Sequence, residues 1–246
     1  MTIEITAFEW VPDFARGHVK DLRVRWALEE AGLPYRAVLI DHEQKATPAY
    51  RRWQPFGQVP AYRDGEVELF ESGAIVLHIA ARSEALAPPD PAGRARVATW
   101  VLAALNSIEP FVTNVVAPDI FFAGEAWVEE RRPSARAELD ERLGALSGWL
   151  DGREYLEGRF TGGDIVMATV LRDLSFADGL ARFPVLAAYR RRCEARPAFA
   201  RALAAQLAAF RDPGASGRRG EATASRTEPA HAAAAPTARR ARGDHR

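Results

Sequence analysis

The stretch that decides the fold is QVPAY at residues 58–62, which is followed after a short turn by LFESGAI at residues 69–75. Proline has no N–H group to give to a β-ladder, so Val59-Pro60 interrupts a strand, and a proline kept at such a bend is often cis. The bend predicts that the N–H and C=O groups of Val59 face outward. The main chain of an extended ligand could pair with them as an added strand does.

The residues after this bend predict a hairpin and then a helix. Asp64-Gly65 lies between two apolar runs, which is typical of a tight turn. Ser72 precedes an apolar-periodic stretch, so we expect it to be the N-cap of a helix. Free N–H groups at a helix start favour a carboxylate, and the neighbouring Glu71 could accept an ammonium group. Together these residues predict a site for both charged ends of an amino acid, although the same order of elements also occurs in folds that bind no ligand.

The flanking sequence indicates the fold class. Residues 3–8 alternate like a strand, residues 21–31 have the apolar face of a helix, and residues 35–40 form a second strand. The order βαβ followed by ββα predicts an α/β thioredoxin-like domain. The segments RVRWALEEAGLPYRAVLI at 23–40 and QPFGQVPAYRDGEVELFESGAIVLHIA at 54–80 resemble the N-terminal domain of the cytosolic glutathione transferase superfamily.

The resemblance implies glutathione as co-substrate and gives roles to five residues. Val59 would pair its main chain with the cysteinyl part of glutathione, beside a cis Pro60. Glu71 and Ser72 would hold the γ-glutamyl end, and Gln58 would lie near the glycine end.

Two further residues, Trp53 and Lys45, are weaker expectations for the glycine end, because the superfamily holds that end in different ways. The acceptor would bind between two domains. The candidate wall residues of that acceptor pocket are Phe14, Phe111, Asn114, Phe121 and Phe122.

The group that would activate the glutathione thiol is not evident in the sequence. Only the thiolate attacks well, and in the superfamily a Tyr, Ser or Cys near the start of the first helix favours it or reacts itself. Residues 10–20 contain none of these. Three donors remain: Arg16, which resembles an arginine of the alpha class, Trp10 at the strand end, and His18, which falls near the family's Ser or Cys position. Each also has an ordinary interpretation as a packing or solvated residue, and a backbone N–H could serve instead.

The resemblance therefore predicts a glutathione transferase that joins the thiolate to an electrophilic, apolar small molecule, as in detoxification. A second hypothesis, from another class, is a non-catalytic glutathione-binding or partner-binding protein on the same fold. A glutathione-dependent isomerase or peroxidase is a related alternative, and the absence of a cysteine from residues 10–20 argues against thiol–disulfide exchange through the protein. The family plan also implies a homodimer.

The second half of the chain reads as helical. We expect a helix over 97–111, which Pro110 and Pro118 would end or kink, or which could be a long one running past Phe121-Phe122. A further helix is expected over 126–150, and Pro133 could break it. Thr161 and Asp164 match a capping box that opens a buried helix, with no chemistry assigned. The predicted divisions are a thioredoxin-like glutathione-binding domain at 1–84, a linker at 85–93, an all-helical domain at 94–211 and a disordered tail at 212–246.

Composition sets the remaining expectations. The chain has 246 residues, 48% of them hydrophobic, and a net charge of zero. Cys193 is the only cysteine, which excludes a disulfide framework and favours a reducing compartment, so we expect a cytoplasmic protein. The sequence predicts no metal site, no stretch apolar and long enough to cross a membrane, and no secretory signal. The tail, with seven arginines and four acidic residues, carries +3 but has no aromatic residues for stacking, so we expect no nucleic acid partner.

Overall fold

The computed structural model describes residues 2–177 and 179–211, and these form one compact unit. The disorder predicted for residues 212–246, and the role of their arginines, lie outside the described residues. The division into domains at residues 84 and 94 stays a prediction.

The first part of the unit is a four-stranded mixed sheet with helices beside it. Its strands are β1 (Ile3–Phe8), β2 (Tyr35–Ile40), β3 (Ala61–Asp64) and β4 (Val67–Phe70). They lie in the order β2-β1-β3-β4, with β1 parallel to β2 and antiparallel to β3, and β3 antiparallel to β4. This is the thioredoxin-like arrangement that the sequence predicts.

Nine α-helices are present among the described residues. They are α1 (Asp21–Ala31), α2 (Pro48–Arg51), α3 (Ser72–Ala80), α4 (Pro91–Ala103), α5 (Glu109–Phe121), α6 (Ala126–Leu150), α7 (Gly162–Asp173), α8 (Pro184–Glu194) and α9 (Pro197–Ala209). Short 3₁₀ turns lie at Asp13–Ala15, Gln44–Ala46 and Leu174–Ala177. Among residues 81–177 and 179–211, everything is helical or irregular, as predicted for the second half of the chain.

The predicted bounds of β1, α1 and β2 are confirmed. The hairpin turn consists of Gly65 and Glu66 rather than Asp64 and Gly65, because Asp64 still pairs with Val67. Gly65 has φ +62°, a conformation that glycine adopts without steric cost.

The helix with Pro110 takes the long form of the two that the sequence left open, and it ends at Phe121. A π-helical turn at Ala104–Ile108 joins α4 to α5, so helical structure continues from Pro91 to Phe121. Pro110 lies in the first turn of α5, where its missing N–H costs no helical hydrogen bond. Pro133 lies inside α6 and does not break it.

This continuous helix also corrects an expectation about membranes. By length and composition alone, Pro91–Phe121 is apolar enough to cross a bilayer, with a mean hydropathy of 1.3 in its most apolar window. The sequence-based statement that no stretch meets this criterion is therefore wrong. Several side chains of the helix, including Val97, Val101 and Val112, are buried in the protein's own core.

One hydrophobic core runs through the sheet and the helices. Trp26 of α1 is fully buried at its centre, and its ring lies 4.8 Å from that of Phe199 and 5.8 Å from that of Phe160. This packing fixes α1 against α9 on one side and the sheet on the other. The N-terminus of α1 thereby lies between β1 and α7, where the candidate site is found.

Candidate functional site

The bend at Val59-Pro60 is cis, as predicted. A chain of hydrogen bonds supports it from below. The Tyr50 hydroxyl donates to the Gln58 carbonyl at 2.6 Å, so it must accept from the Thr6 hydroxyl, 2.8 Å away. Thr6 in turn accepts the Ala61 N–H at 2.7 Å. Burial raises the pKa of Tyr50, so the phenol stays protonated and keeps its donor role.

These bonds bracket Val59 on both sides but do not use it. Within residues 2–177 and 179–211, no hydrogen bond to the Val59 main chain is present. The Val59 side chain is buried against Ile40 and Tyr50, and Val19 packs on the same cluster. The side chain is therefore anchored while the backbone groups remain available to a ligand.

The start of α3 differs from the prediction in one respect. Ser72 is the first residue of the helix, and Glu71 occupies the N-cap position with φ +68°. The expectation that Ser72 is the N-cap is therefore wrong by one residue. The reason is that Glu71 makes the turn, in a conformation that costs about 1–3 kcal/mol for a residue other than glycine. Glu71 is exposed and Ser72 is buried.

The tight packing of this helix start holds the strained residue in place. A methyl group on Gly73 would lie 2.5 Å from Leu105 Cδ1 and 3.1 Å from Val101 Cγ1, so a larger residue would require the Leu105 side chain to shift. The hydroxyl of Ser72 accepts a hydrogen bond from Arg23 Nη1 at 3.2 Å. The N-terminus of α3 is thus tied both to α4 and to α1.

Arg23 belongs to a group of charged side chains that we call the cleft cluster: His18, Lys20, Arg23, Glu109 and Asp173. Arg23 Nη2 donates to Glu109 at 2.8 Å, and Lys20 Nζ binds both Glu109 and, at 3.1 Å, Asp173. His18 Nδ1 lies 2.9 Å from the other oxygen of Asp173. The cluster joins the loop before α1, α1 itself, α5 and α7.

The cations of the cluster keep its two acids ionised. Burial alone would raise the pKa of Glu109, but Arg23 and Lys20 offset this and hold the pKa below its ordinary value. Burial acts in the same way on Asp173, and the His18 hydrogen bond together with Lys20 brings its pKa below the ordinary value. The ionised Asp173 can accept a hydrogen bond from an N–H at His18 Nδ1, and this contact holds the orientation of the ring.

Sequence reasoning found His18 in this cluster but missed the other four members. A signal was available for Glu109, because it is one of only two acids between Val97 and Phe121 in a run of otherwise apolar and small side chains. Lys20 is one of two lysines in the chain and directly precedes α1.

The other two residues predicted to activate a thiol lie elsewhere. Trp10 is exposed just after β1. The Arg16 guanidinium pairs with Asp13 at 3.3 Å and lies over the ring of Phe210, 5.8 Å from its centroid. Of the three candidates, only His18 contacts the cleft cluster through the described hydrogen bonds.

Residues predicted near the glycine end of glutathione lie around the Val59 bend. The side chain of Gln58 is exposed, and the Gln58 main-chain N–H donates to the side-chain amide oxygen of Gln54 at 3.1 Å. Trp53 donates to the Tyr62 carbonyl at 3.0 Å, and Lys45 Nζ lies 5.7 Å above the ring of Phe8. These contacts place Lys45 beside the cluster that carries Val59, since Phe8 packs on that cluster.

The five residues predicted for the acceptor pocket do not line one cavity. Phe14 and Phe121 meet edge to face, with 6.3 Å between centroids, and connect the loop after β1 with the end of α5. Phe111 instead lies under Arg142 of α6. The remaining two, Asn114 and Phe122, line an open cavity of about 670 Å³ between α5 and α6.

Cys193 is fully buried, and burial raises its pKa well above the ordinary value for a thiol. It lies in the hydrophobic core. Within the described part of the chain, no group of three His, Cys, Asp or Glu side chains is arranged to hold a metal ion.

Comparison with known proteins finds relatives that cover most of the chain. A family model described as glutathione S-transferase, N-terminal domain, matches residues 14–81, which include the bend, the start of α3 and the first part of α1. Glutathione S-transferase 3 of Zea mays is 30% identical over 203 residues, or 75% of this chain and 88% of that relative. Glutathione S-transferase F9 of Arabidopsis thaliana is 29% identical over 165 residues, or 62% of this chain and 73% of the relative.

Solved structures share the fold. A glutathione transferase family member from Pseudomonas fluorescens, crystallised with two glutathione molecules bound, is 27% identical with a TM-score of 0.72, covering 82% of this chain and 92% of that chain. Poplar glutathione transferase F1 has the same TM-score at 22% identity, over 84% of this chain and 98% of its own.

Proposed function

The chain belongs to the glutathione S-transferase family, and on that premise we propose that it is an enzyme that conjugates glutathione to electrophilic, apolar small molecules. The thiol proton of bound glutathione leaves to solvent. The sulfur lone pair then forms a C–S bond to the electrophilic carbon, and the leaving group departs with its electron pair. Detoxification is the process that such an activity would serve.

The observation that carries this proposal is the pairing of two ligand-ready features in one place. The unbonded main chain of Val59 offers one donor and one acceptor to the cysteinyl residue of glutathione, beside the cis bond to Pro60. The first turn of α3 offers N–H groups to the γ-glutamyl carboxylate, and the exposed Glu71 offers an oxygen to the ammonium group. We propose Gln58, Val59, Pro60, Glu71 and Ser72 as the glutathione-binding residues.

For thiol activation, the proposal retains Arg16, Trp10 and His18 as the candidates predicted from sequence. The contacts favour His18 among these three. Its ring is fixed by Asp173, and it packs 4.3 Å from the ring of Phe176. A fixed imidazole whose Nδ1 donates to a carboxylate is oriented to interact through Nε2.

The test separates binding from turnover. Isothermal titration calorimetry with glutathione and with S-methylglutathione measures binding, and formation of a thioether from an activated aryl halide measures transfer. Binding of both ligands together with conjugate formation supports the transferase. Binding without conjugation to any of several electrophile classes would contradict it.

A non-catalytic glutathione-binding protein is the second candidate, favoured by the absence of Tyr, Ser, Thr and Cys from residues 10–20. The same assay distinguishes it, because it predicts binding with no turnover. Turnover of a peroxide or of an isomerisable substrate in place of the aryl halide would indicate the related isomerase or peroxidase.

We also propose a cytoplasmic homodimer. Phe56 is 64% exposed, and its ring meets that of the partly exposed Phe70 at 6.0 Å, so the hairpin carries an apolar patch that a second copy could cover. A single, buried and unpaired Cys193 fits a reducing compartment. Light scattering of the purified protein tests the dimer: the monomer mass at micromolar concentration would contradict it.

A further inference from the structure

Lys20 lies between the two ends of the glutathione path proposed above. Its chain neighbour Val19 packs on the cluster that anchors Val59, and Arg23, one helical turn further on, binds the hydroxyl of Ser72. The first turn of α1 therefore spans from the residue proposed to hold the cysteinyl group to the residue proposed to hold the γ-glutamyl group. Lys20 directly precedes this turn, with its side chain 39% exposed.

The ammonium of Lys20 is fixed but not saturated. It donates one hydrogen bond to Glu109 of α5 and one to Asp173 of α7, on the opposite side of the cleft cluster. A lysine ammonium has three N–H donors. Two of them are used, and the third has no acceptor among the described residues.

We propose that Lys20, which the sequence did not single out, is a further catalytic residue beside His18: it stabilises the glutathione thiolate through an Nζ–H···S⁻ hydrogen bond, and Glu109 and Asp173 are positioning residues that aim its ammonium. This rests on the proposed function. The S–H bond breaks with loss of the proton to solvent, and Lys20 remains an ammonium throughout. It performs here what a hydroxyl donor performs in relatives, with a full charge in place of a dipole.

The surrounding charges limit the size of the effect. The charged and titratable groups that face Lys20 are Arg23 on α1, His18 before it, Glu109 on α5 and Asp173 on α7. Two fixed cations balance two ionised acids, so the thiolate gains from a short, directed hydrogen bond more than from net positive charge. We expect Lys20 to account for a shift of about one pH unit in the thiolate titration, a tenfold change in thiolate fraction near neutral pH.

The test titrates the ultraviolet thiolate absorbance of bound glutathione with pH in wild type, Lys20→Met and Lys20→Arg. Binding of S-methylglutathione, which has no thiol, is measured in parallel. We expect Lys20→Met to bind S-methylglutathione within about threefold of wild type but to raise the thiolate midpoint by about one unit. Lys20→Arg should keep most of the shift. Arg96→Met removes an exposed cation paired with Glu157 and should leave both readouts unchanged.

The outcomes are distinguishable. A Lys20→Met midpoint equal to that of wild type, with binding intact, overturns the role of Lys20 and leaves the proposed function standing. No binding of S-methylglutathione to wild type overturns the proposed function and this inference with it.

A measurement on the wild-type protein covers the case in which Lys20→Met fails to fold. The chain contains only two lysines, Lys20 and Lys45, so labelling at lysine Cε gives two side-chain NMR signals, which Lys45→Arg assigns. Glutathione at a pH where it binds as thiolate should shift the Lys20 signal more than S-methylglutathione does. Equal shifts with the two ligands would overturn the proposal.

Discussion

Two carboxylate networks join the helices of this protein, and they differ in the partners that surround the acid. In the first, Asp164 is fully buried at the start of α7. It accepts from the Thr161 N–H at 2.8 Å, the Thr161 hydroxyl at 3.1 Å, the Leu156 N–H at 3.0 Å and the Tyr189 hydroxyl at 2.8 Å. All four donors are neutral. Burial therefore dominates and raises the pKa of Asp164, although the hydrogen bonds oppose it.

The second network is the cleft cluster, in which Glu109 and Asp173 face cations. Each of the two acids is 19% exposed. The cost of burial is outweighed by Arg23 and Lys20 at Glu109, and by the His18 hydrogen bond together with Lys20 at Asp173, so both pKa values fall below the ordinary value. These two acids bind Lys20, whose third N–H has no acceptor among the described residues, whereas the donors to Asp164 have no such additional N–H.

The difference separates a structural network from one arranged for a ligand. In the part of the chain that the structure describes, the Asp164 network contains no cation and is saturated, so it fixes the start of α7 and leaves no hydrogen-bonding group for a ligand. In the cleft cluster the paired opposite charges keep the groups ionised, oriented and partly accessible, and this is the basis of the role proposed above for Lys20. The first predictions below change one network or a contact of it and use an exposed residue as the control, and the last compares the two networks directly.

The largest effect is expected from Asp164→Ala. The variant leaves four buried donors without an acceptor, and unmet buried donors cost about 1–3 kcal/mol each, so we expect a loss of about 3 kcal/mol or more in the free energy of unfolding. This exceeds the roughly 1 kcal/mol expected from capping alone. Urea denaturation measures it.

Asp90→Ala is the matched control, because Asp90 caps α4 with a single bond to the Gly93 N–H at 2.7 Å and is exposed. It should cost about 1 kcal/mol. Equal losses in the two variants would show that the extra bonds of Asp164 contribute nothing.

Arg23→Met should have the next largest effect. The side chain is 2% exposed and binds Ser72, Thr169 and Glu109, so its removal leaves a partly buried carboxylate with Lys20 as its only cation. We expect a loss of about 2 kcal/mol in unfolding free energy, below the 3–5 kcal/mol of a fully broken buried pair. Arg201→Met, which removes an exposed partner of Glu29, should stay within about 1 kcal/mol of wild type. A similar loss in both variants would argue against a special role for the buried guanidinium.

The contrast between the two networks also explains what the sequence could reveal. The capping box of Asp164 lies within four consecutive residues, so local spacing predicts it, and the structure confirms it. The strand and helix bounds of β1, α1 and β2, and the cis bond at Pro60, likewise follow from local patterns.

The cleft cluster is built from contacts that no local pattern records. Lys20 and Asp173 are separated by 153 positions, and Arg23 and Glu109 by 86. Their meeting depends on how α1 packs against α5 and α7. The prediction that Ser72 is the N-cap of α3 was wrong for a related reason. The backbone conformation of Glu71 is set by tertiary packing and not by the residue's own preference.

Ser72→Ala sharpens the comparison on the ligand side. The hydroxyl receives one hydrogen bond, from Arg23, so its loss should change the unfolding free energy by less than about 1 kcal/mol. If it also binds the γ-glutamyl carboxylate, the dissociation constant for glutathione should rise about five- to tenfold, equivalent to about 1 kcal/mol. Calorimetry measures this dissociation constant. Ser83→Ala is the control, because among the described residues the Ser83 hydroxyl accepts only the Ala85 N–H, at 3.3 Å, and lies outside the proposed site. Unchanged affinity in Ser72→Ala would remove Ser72 from the site.

The smallest effects are expected from pH, and there the two networks should act with opposite sign. Glu109 has a folded pKa below its unfolded value, so the unfolded chain binds more protons. Its contribution is present above an ordinary glutamate pKa of about 4.3 and is lost as the pH falls through the lower folded value. Glu109→Gln should therefore flatten the loss of stability on acidification.

Asp164 has a raised folded pKa, so the native state binds the additional proton. Its contribution is present below an ordinary aspartate pKa of about 3.9 and declines as the pH rises through the folded value. Asp164→Asn should for that reason make the rise of stability with pH steeper, where Glu109→Gln makes it shallower. Urea unfolding of both variants and wild type between pH 3 and pH 7 measures the slopes. Slopes that change in the same direction would mean that the cations near Glu109 do not distinguish the two networks, because desolvation would then govern both acids.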